Sequence, residues 1–527
     1  MTERQKLALR YFSQGDNCAQ AVFKAYRDVV GISEAQAALV SAGFGGGMGR
    51  LRQNCGAYSA AVMLCAAMEG EDGADAEKRV AVYNRVQAVY RRFVEEMGTI
   101  NCGALLGGRG AEAPKPESRT PAYYASRPCA SIIRRACGII EEQLAEAPPR
   151  RLKALVLTTH TGGGHDAAAF AMKDAFEAAG VACRVEDCLA FAGRSFSRVT
   201  CGGYVKMVQH TPRLFGALYH IGSGISSARH KSPIYYVNAA YAFRMERLLA
   251  EYRPDIIVGT HLFGGQTVTY LKRKGLVHSA LGMVMTDYAL HPFSEDIEAD
   301  RLFIGHEAMM TECEARGIPN ETLRATGIPV RAACQPCQDK EAAKKALGLK
   351  ARREVLVVGG SMGAGNLPEV IASILPALGE EDHLTVVCGS NESARADVAA
   401  RCQDDPRVTV EGRVSPLYDR MAAADVLVTK SGGLTTTEAM NVGTPMLIVN
   451  PIEGCETANA SFCERMGLAR YCRNGDELPA MLSDLLRDDA AREAMIAAQR
   501  REINVRAACD IAAEMIALAR SRTGARA

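Results

Sequence analysis

No stretch of this 527-residue chain is long and apolar enough to span a bilayer, which excludes a transmembrane helix. Met1 to Arg10 is charged and lacks an apolar segment followed by a small-residue cleavage site, so the expected location is the cytoplasm. A strong charge of either sign is also missing. The net charge of +2 gives no overall footprint for nucleic acid, and any basic surface that matters must be local. Tryptophan is absent altogether. The nucleotide-binding patterns G-x-G-x-x-G and Walker A are absent from the glycine-rich loops, which weakens dinucleotide and P-loop readings.

What is present is an ordinary globular composition, 48% hydrophobic and 23% charged, on a chain too long for one core. Two to four domains are expected. Residues 1–147 carry apolar residues at helical spacing over Arg4 to Phe12, Cys18 to Val29, Glu34 to Ser41, Ala57 to Met68, Glu77 to Met97 and about Ala130 to Ala145, with no strand alternation. Gly43 to Gly49 interrupts these helices, Gly107 to Arg127 reads as a loop, and Pro148-Pro149-Arg150-Arg151 reads as a boundary. The spacing therefore predicts an all-α first domain.

After Arg151 the pattern changes to short buried-strand runs alternating with helices. They start at Lys153, Pro254, Leu281, Arg353, His383, Ala424 and Pro445. Such alternation predicts parallel sheets covered on both faces, here as two Rossmann-like lobes over residues 151–329 and 330–527, with the ligand site in the cleft between them. Glycine-rich loops follow three of the strands: Thr159 to His165, Gly359 to Gly365, and Lys430 to Glu438. Backbone N–H groups at a strand-to-helix turn suit an anion, and three such loops favour a diphosphate.

Residues 153 to about 515 resemble the monogalactosyldiacylglycerol synthase and processive diacylglycerol glucosyltransferase group of glycosyltransferase family 28. The resemblance rests on Gly162-Gly163-Gly164-His165, Thr286-Asp287-Tyr288 with His291-Pro292, Thr326 to Arg331, Gly359 to Ala364, Val414 to Tyr418, Ala422 to Ala439 and Pro451 to Ala460. It implies a GT-B fold and an inverting transfer of a hexose from a uridine diphosphate sugar to a lipid acceptor, diacylglycerol above all, with no metal or cofactor required. His165 would act as base or orienter, with Asp287 as its partner or competitor. Glu438 would hold the ribose hydroxyls and backbone around Arg413 the uracil. Ser431, Gly432, Gly433, Gly360, Ser361 and Gly363 would hold the diphosphate. Gly163, Gly164, Thr435, Glu456 and Asn459 complete the expected donor site.

Two departures from the family pattern bear on specificity. Cys455 stands between Gly454 and Glu456 where relatives commonly have glutamine, and Ser294 follows Phe293 where an aromatic is often found. The segment between Cys188 and Arg244 has no Asp or Glu but carries Arg194, Arg198, Lys206, Arg213, Arg229 and Lys231 among aromatic and apolar residues. That composition suits peripheral contact with anionic lipid at the inner face of the cell membrane.

The first domain resembles a small bacterial family named for its C-GCAxxG-C-C cysteine pattern and regarded as redox-active. The match rests on Gly15 to Gln20, Gly43 to Arg50, Cys55-Gly56-Ala57, Cys102 and Cys129, with Ser59-Ala60 where the motif usually has glycine. Cys18, Cys55, Cys102 and Cys129 are therefore candidates for a dithiol relay, a metal or cluster site, or inert buried thiols; the spacing does not choose. Cys334-Gln-Pro-Cys337 lacks a second pair, and no metal is assigned to it. Two other readings stay open: transfer to a polyprenyl-diphosphate-linked acceptor, and a catalytically inactive nucleotide-binding redox sensor.

Overall fold

The structure is a computed structural model that describes residues 1–68, 76–146, 152–160, 163–193, 231–360 and 366–525. The chain forms two compact units, one of Met1–Arg150 with Arg520–Ala527, the other of Arg151–Ala519.

The first unit is helical: α1 Glu3–Ser13, α2 Cys18–Ala25, α3 Glu34–Ser41, α4 Gly45–Met48, α5 Gly56–Ala67, α6 Ala76–Met97, α7 Cys102–Leu105, α8 Pro121–Ala125 and α9 Cys129–Glu146. Thr2, Asn17 and Ser33 each start a helix with a capping box, closed by a Gln three residues on, so the boundaries are fixed by local hydrogen bonds. The core gathers Phe12, Tyr26, Leu64, Phe93, Ile133, Ile139 and Ile140 around the small residues Ala57, Ala60 and Ala61 of α5. One departure from the sequence reading occurs here: Pro121–Ala125 is a short helix inside the expected loop, started by Thr120 and Pro121. The expected interruption at Gly43 to Gly49 contains the four-residue α4, kinked by Gly46 and Gly47 at positive φ.

The second unit holds two six-stranded sheets with every pair of neighbours parallel. The first comprises β1 Lys153–Thr158, β2 Ala182–Asp187, β3 Ile256–Gly259, β4 Ala280–Val284, β5 Arg301–Phe303 and β6 Leu323–Arg324, in the order β2-β1-β3-β4-β5-β6. The second comprises β7 Arg353–Val358, β8 Asp382–Val387, β9 Val408–Glu411, β10 Val426–Thr429, β11 Met446–Ile448 and β12 Arg470–Tyr471, in the order β12-β11-β10-β7-β8-β9. This is the two-lobed GT-B arrangement. The central strands are the ones read from the sequence; β2, β5, β6, β9 and β12 were not among them. All five are short or only partly buried, so they lack the continuous apolar run that marks a buried parallel strand, and β2 carries Arg184, Glu186 and Asp187.

In an open parallel sheet the ligand crevice lies beyond the strand C-termini where the order reverses. That point falls between β1 and β3 in the first sheet and between β7 and β10 in the second. The segments that follow these four strands carry His165, on the first turn of the next helix, and His261, Gly360 and Lys430. One apolar cluster joins the lobes, with Ala168, Tyr288, Ile328 and Val330 packed among Leu356, Leu434, Ile448 and Phe462. The C-terminal helix Ala507–Ala525, assigned by the sequence reading to the second lobe, sends Ala508, Ile511, Ala512 and Met515 into the core of the first, beside Val156, Val258 and Phe303.

Candidate functional site

Where the lobes meet, two helices begin. Helix α10, Gly163–Ala178, follows β1, and the helix Gly433–Val442 follows β10. A Cβ placed on Gly164 would lie 3.6 Å from the Leu434 side chain, so the first turns of the two helices touch. A Cβ on Gly433 would overlap the Thr286 carbonyl and sit 2.9 Å from the Asp287 carboxylate, so only glycine allows this approach. The positive end of a helix dipole belongs to each N-terminus, and both are brought to one place.

His165 stands on the first turn of α10. Its Nδ1 lies 2.7 Å from the Thr260 carbonyl and 3.3 Å from Thr286 Oγ1. A carbonyl only accepts, so Nδ1 carries the proton and Nε2 keeps its lone pair. Burial lowers the pKa of this histidine, against the opposing pull of Asp287, which favours the neutral ring. The ring of His261 meets it edge-on at 4.7 Å, and burial together with His165 holds His261 well below the usual histidine range.

Asp287 is buried, 8% exposed, and is tied on both oxygens: Oδ1 accepts from Asn459 Nδ2 at 2.6 Å and Oδ2 lies 2.8 Å from His291 Nε2. Burial pushes its carboxyl up, but the bonds from His291 and Asn459 outweigh that and hold it below its ordinary value. Asn459 crosses between lobes. Its Oδ1 accepts from Tyr288 N at 2.7 Å, and its Nδ2 also donates to the Ser431 carbonyl at 2.9 Å. Tyr288 stacks on Phe462 with centroids 4.6 Å apart and planes 5° from parallel.

In the second lobe Lys430 runs past Gly360 and ends on Glu456, forming a buried ion pair. A Cβ on Gly360, whose φ is +72°, would come within 2.8 Å of Lys430 Cε. The backbone of Glu456 accepts from Ser431 Oγ at 2.6 Å, and its carboxylate accepts from Ile452 N at 3.0 Å. Burial raises Glu438 to about 7, with Arg331 opposing the rise.

The four expected cysteines of the helical unit line one small pocket of about 50 Å³, with Asn17, Arg52, Arg119, Tyr123 and Arg127. All four sit at helix starts: Cys18, Cys102 and Cys129 open α2, α7 and α9, and Cys55 caps α5. A Cβ on Gly56 would be 2.7 Å from Cys18 Sγ, which explains the glycine after Cys55. Burial pushes Cys55, Cys102 and Cys129 upward, Cys129 to about 11, so these thiols are protonated at neutral pH despite Arg52 donating to Cys102 Sγ at 3.9 Å. Among the described residues no three of these sulfurs lie within 4.8 Å of one another. Four sulfurs around a single zinc are roughly 3.8 Å apart, so the pocket as it stands is wider than a one-ion tetrathiolate site.

Comparison with known proteins assigns each of these regions. Residues 165–330 match the Monogalactosyldiacylglycerol (MGDG) synthase family and residues 354–515 the Glycosyltransferase family 28 C-terminal domain. The two-lobed unit is a family 28 glycosyltransferase. Residues 16–143 match the family described as "Putative redox-active protein (C_GCAxxG_C_C)". The chain is 28% identical over 341 residues to a processive diacylglycerol beta-glucosyltransferase of Bacillus cereus, covering 64% of this chain and 86% of that one. The corresponding protein of Bacillus thuringiensis is 27% identical over the same length. Among solved structures, MurG of Acinetobacter baumannii aligns over 69% of this chain and 99% of its own, at 16% identity and a TM-score of 0.44.

In this glycosyltransferase the structure brings His165, Asp287, Gly164, Gly360, Ser431, Gly432, Gly433, Glu456 and Asn459 to the junction of the lobes. Asp287 pairs with His291, and His165 with Thr260, so the two expected catalytic groups are not hydrogen-bonded to each other. Asn459 and Glu456 spend their polar atoms on protein groups. Thr435 is partly buried on the first turn after Gly433, and Arg413 is exposed just beyond β9. Ser361, Gly363 and Gly162 lie outside the described residues, as do the basic positions from Arg194 to Arg229. Lys231 is described, paired with Glu298 at 3.1 Å and donating to the Asp296 carbonyl at 2.7 Å. His261, His291 and Lys430 were absent from the expected set. Each follows a strand C-terminus at or beside a switch point, a signal available in the sequence. Cys334 and Cys337 of the CxxC bond to the carbonyls of Glu438 and Ala422.

Proposed function

We propose that the cleft between the lobes transfers a hexose from a uridine diphosphate sugar to diacylglycerol with inversion at the anomeric carbon. The observation that carries this reading is the pairing of two apposed helix N-termini with a histidine whose Nδ1 is committed to a carbonyl. The first arrangement suits a departing diphosphate, stabilised by Ser431, Gly432, Gly433 and the backbone at Gly360. The second leaves His165 Nε2 able to take the proton of an acceptor hydroxyl as the new glycosidic bond forms. Bond making to the acceptor oxygen and bond breaking to the diphosphate then occur on opposite faces of the sugar. Glu438, as a carboxylate, accepts from both ribose hydroxyls, and backbone near Arg413 meets the uracil. Asp287 acts by fixing His291 and Asn459 near the sugar. No metal or cofactor takes part in the transfer.

A lipid acceptor is supported by the described end of the acid-free segment. Ile234, Tyr236, Val237 and Phe243 are exposed, Tyr236 and Phe243 at 63%, on consecutive helices at the C-terminal end of that segment. Among the described residues no helix can cross a membrane, so contact at the inner leaflet would be peripheral. In the helical unit, the pocket formed by Cys18, Cys55, Cys102 and Cys129 is read as a thiol redox centre or a multi-atom metal site.

The test is incubation of the full chain with labelled UDP-glucose, UDP-galactose or UDP-N-acetylglucosamine and vesicles containing diacylglycerol or a polyprenyl-diphosphate-linked acceptor. Label in the diacylglycerol product supports the reading. Label confined to the polyprenyl acceptor replaces the acceptor class, and no label with any donor overturns transfer.

A further inference from the structure

Cys455, the residue that departs from the family pattern, opens the helix Cys455–Arg465 within reach of Asp287 and His291. One ligand atom from each of these three side chains lies within 4.8 Å of the others, and they form the one such group found among the described residues. Asp287 is buried, and the other two are partly buried. We propose that Asp287, His291 and Cys455 form a binding site for a borderline divalent transition cation of the zinc type, and that its occupation shuts the transfer centre.

The donor set selects the ion class. Thiolate, imidazole and carboxylate together suit Zn²⁺ or Co²⁺, while Mg²⁺ and Ca²⁺ require oxygen ligands. Ligand atoms around a tetrahedral zinc stand roughly 3.3–3.8 Å apart. The Asp287–His291 contact of 2.8 Å would open by about half an ångström, and the thiol would close by side-chain rotation. Asn459 would stay on Oδ1 and orient the carboxylate, leaving Oδ2 to the ion, an arrangement common behind metal ligands.

Charge also fits. Cys455 enters as a thiol, with the carboxylate of Asp287 beside it. Binding replaces the thiol proton: Cys455–SH and M²⁺ give Cys455–S–M⁺ and one H⁺, with no change of oxidation state. The thiolate and the Asp287 carboxylate together neutralise the dication inside the cleft. The Lys430–Glu456 ion pair adds no net charge. Three protein ligands leave a fourth position for water. An ion there takes Asp287 away from His291. The effect on transfer rests on the reading of this cleft as the donor site; the binding does not.

The full-length, reduced chain is titrated with Co²⁺, then with Zn²⁺ in competition. The expected result is a thiolate-to-cobalt charge-transfer band, part of which is lost in Cys455→Gln and in Cys455→Ser. Zn²⁺ affinity at this site should fall by about tenfold or more in those variants and in His291→Gln. The cysteines of the helical unit contribute equally to every spectrum, so the difference between chains reports Cys455. In the unmodified chain Zn²⁺, but not Mg²⁺, should release a proton and block labelling of Cys455 by a small methanethiosulfonate. Spectra unchanged by Cys455→Gln in a folded variant, or Cys455 labelling that is indifferent to Zn²⁺, would overturn the site. Zn²⁺ binding without inhibition of measurable transfer would overturn the shut-off and leave the site standing. Absence of transfer in metal-free protein would count against the donor-site reading alone.

Discussion

The transfer cleft and the thiol pocket are both assembled from the first turns of helices, yet they hold their reactive groups in opposite ways. In the cleft each group is held by a hydrogen bond or ion pair to a neighbour: His165 to Thr260, Asp287 to His291 and Asn459, Lys430 to Glu456. In the pocket the thiols are held by packing, and burial keeps Cys55, Cys102 and Cys129 protonated, with guanidinium groups nearby. The cleft is preorganised for a displacement at neutral pH, whereas the pocket must lose protons before its sulfurs can act as ligands or nucleophiles. Helix N-termini thus supply a setting, and the side chains and their partners decide the chemistry.

The comparison can be broken first at His165. His165→Ala should reduce kcat by about 10²–10⁴-fold with donor KM little changed, as steady-state transfer rates would reveal. Loss of donor binding in parallel would instead make His165 a structural residue. Next in size is Gly433→Ala, whose Cβ would meet the Thr286 carbonyl and displace one lobe against the other. A misplacement of that order should cost about a hundredfold in rate without unfolding either lobe, checked by rate and melting temperature together.

On the pocket side, Gly56→Ala puts a Cβ 2.7 Å from Cys18 Sγ and from the Phe44 carbonyl. It should destabilise the helical unit by about 1–3 kcal/mol in a denaturant titration that follows that unit. A smaller effect is expected from pH. Burial brings Glu438 to about 7, and the ribose diol needs the ionised carboxylate as acceptor. Donor affinity should therefore rise with pH through 7, by about tenfold between pH 6 and pH 8, and Glu438→Gln should flatten the profile in calorimetry. The smallest change belongs to Cys18→Ser and Cys129→Ser, which should leave transfer within about twofold. If they abolish cellular activity while His165→Ala and Glu438→Ala do not, the chain works as a redox sensor and the comparison fails.

Much of this was legible in the sequence because the decisive features are local. Central strands such as Arg353–Val358 are continuous apolar runs, and capped helices such as Glu34–Ser41 announce their start. Edge strands such as Arg470–Tyr471 carry too few residues to show a period. The C-terminal helix was read as part of the nearer lobe since nothing in its own pattern states which core receives Met515. At the site, the glycine loops and His165 were visible as motifs. The pairing of Asp287 with His291 was not, because it depends on how the segment after β4 folds back, nor was the bracing of both lobes by Asn459, which spans 172 residues of sequence.

The most direct test of the central claim is the configuration of the product. A single displacement, with His165 Nε2 on the acceptor side and the helix N-termini on the diphosphate side, converts an α-linked UDP-hexose into a β-linked glycolipid. The proton coupling at the anomeric carbon of the extracted lipid should show the β linkage. An α-linked product, or free hexose without glycolipid, would contradict it.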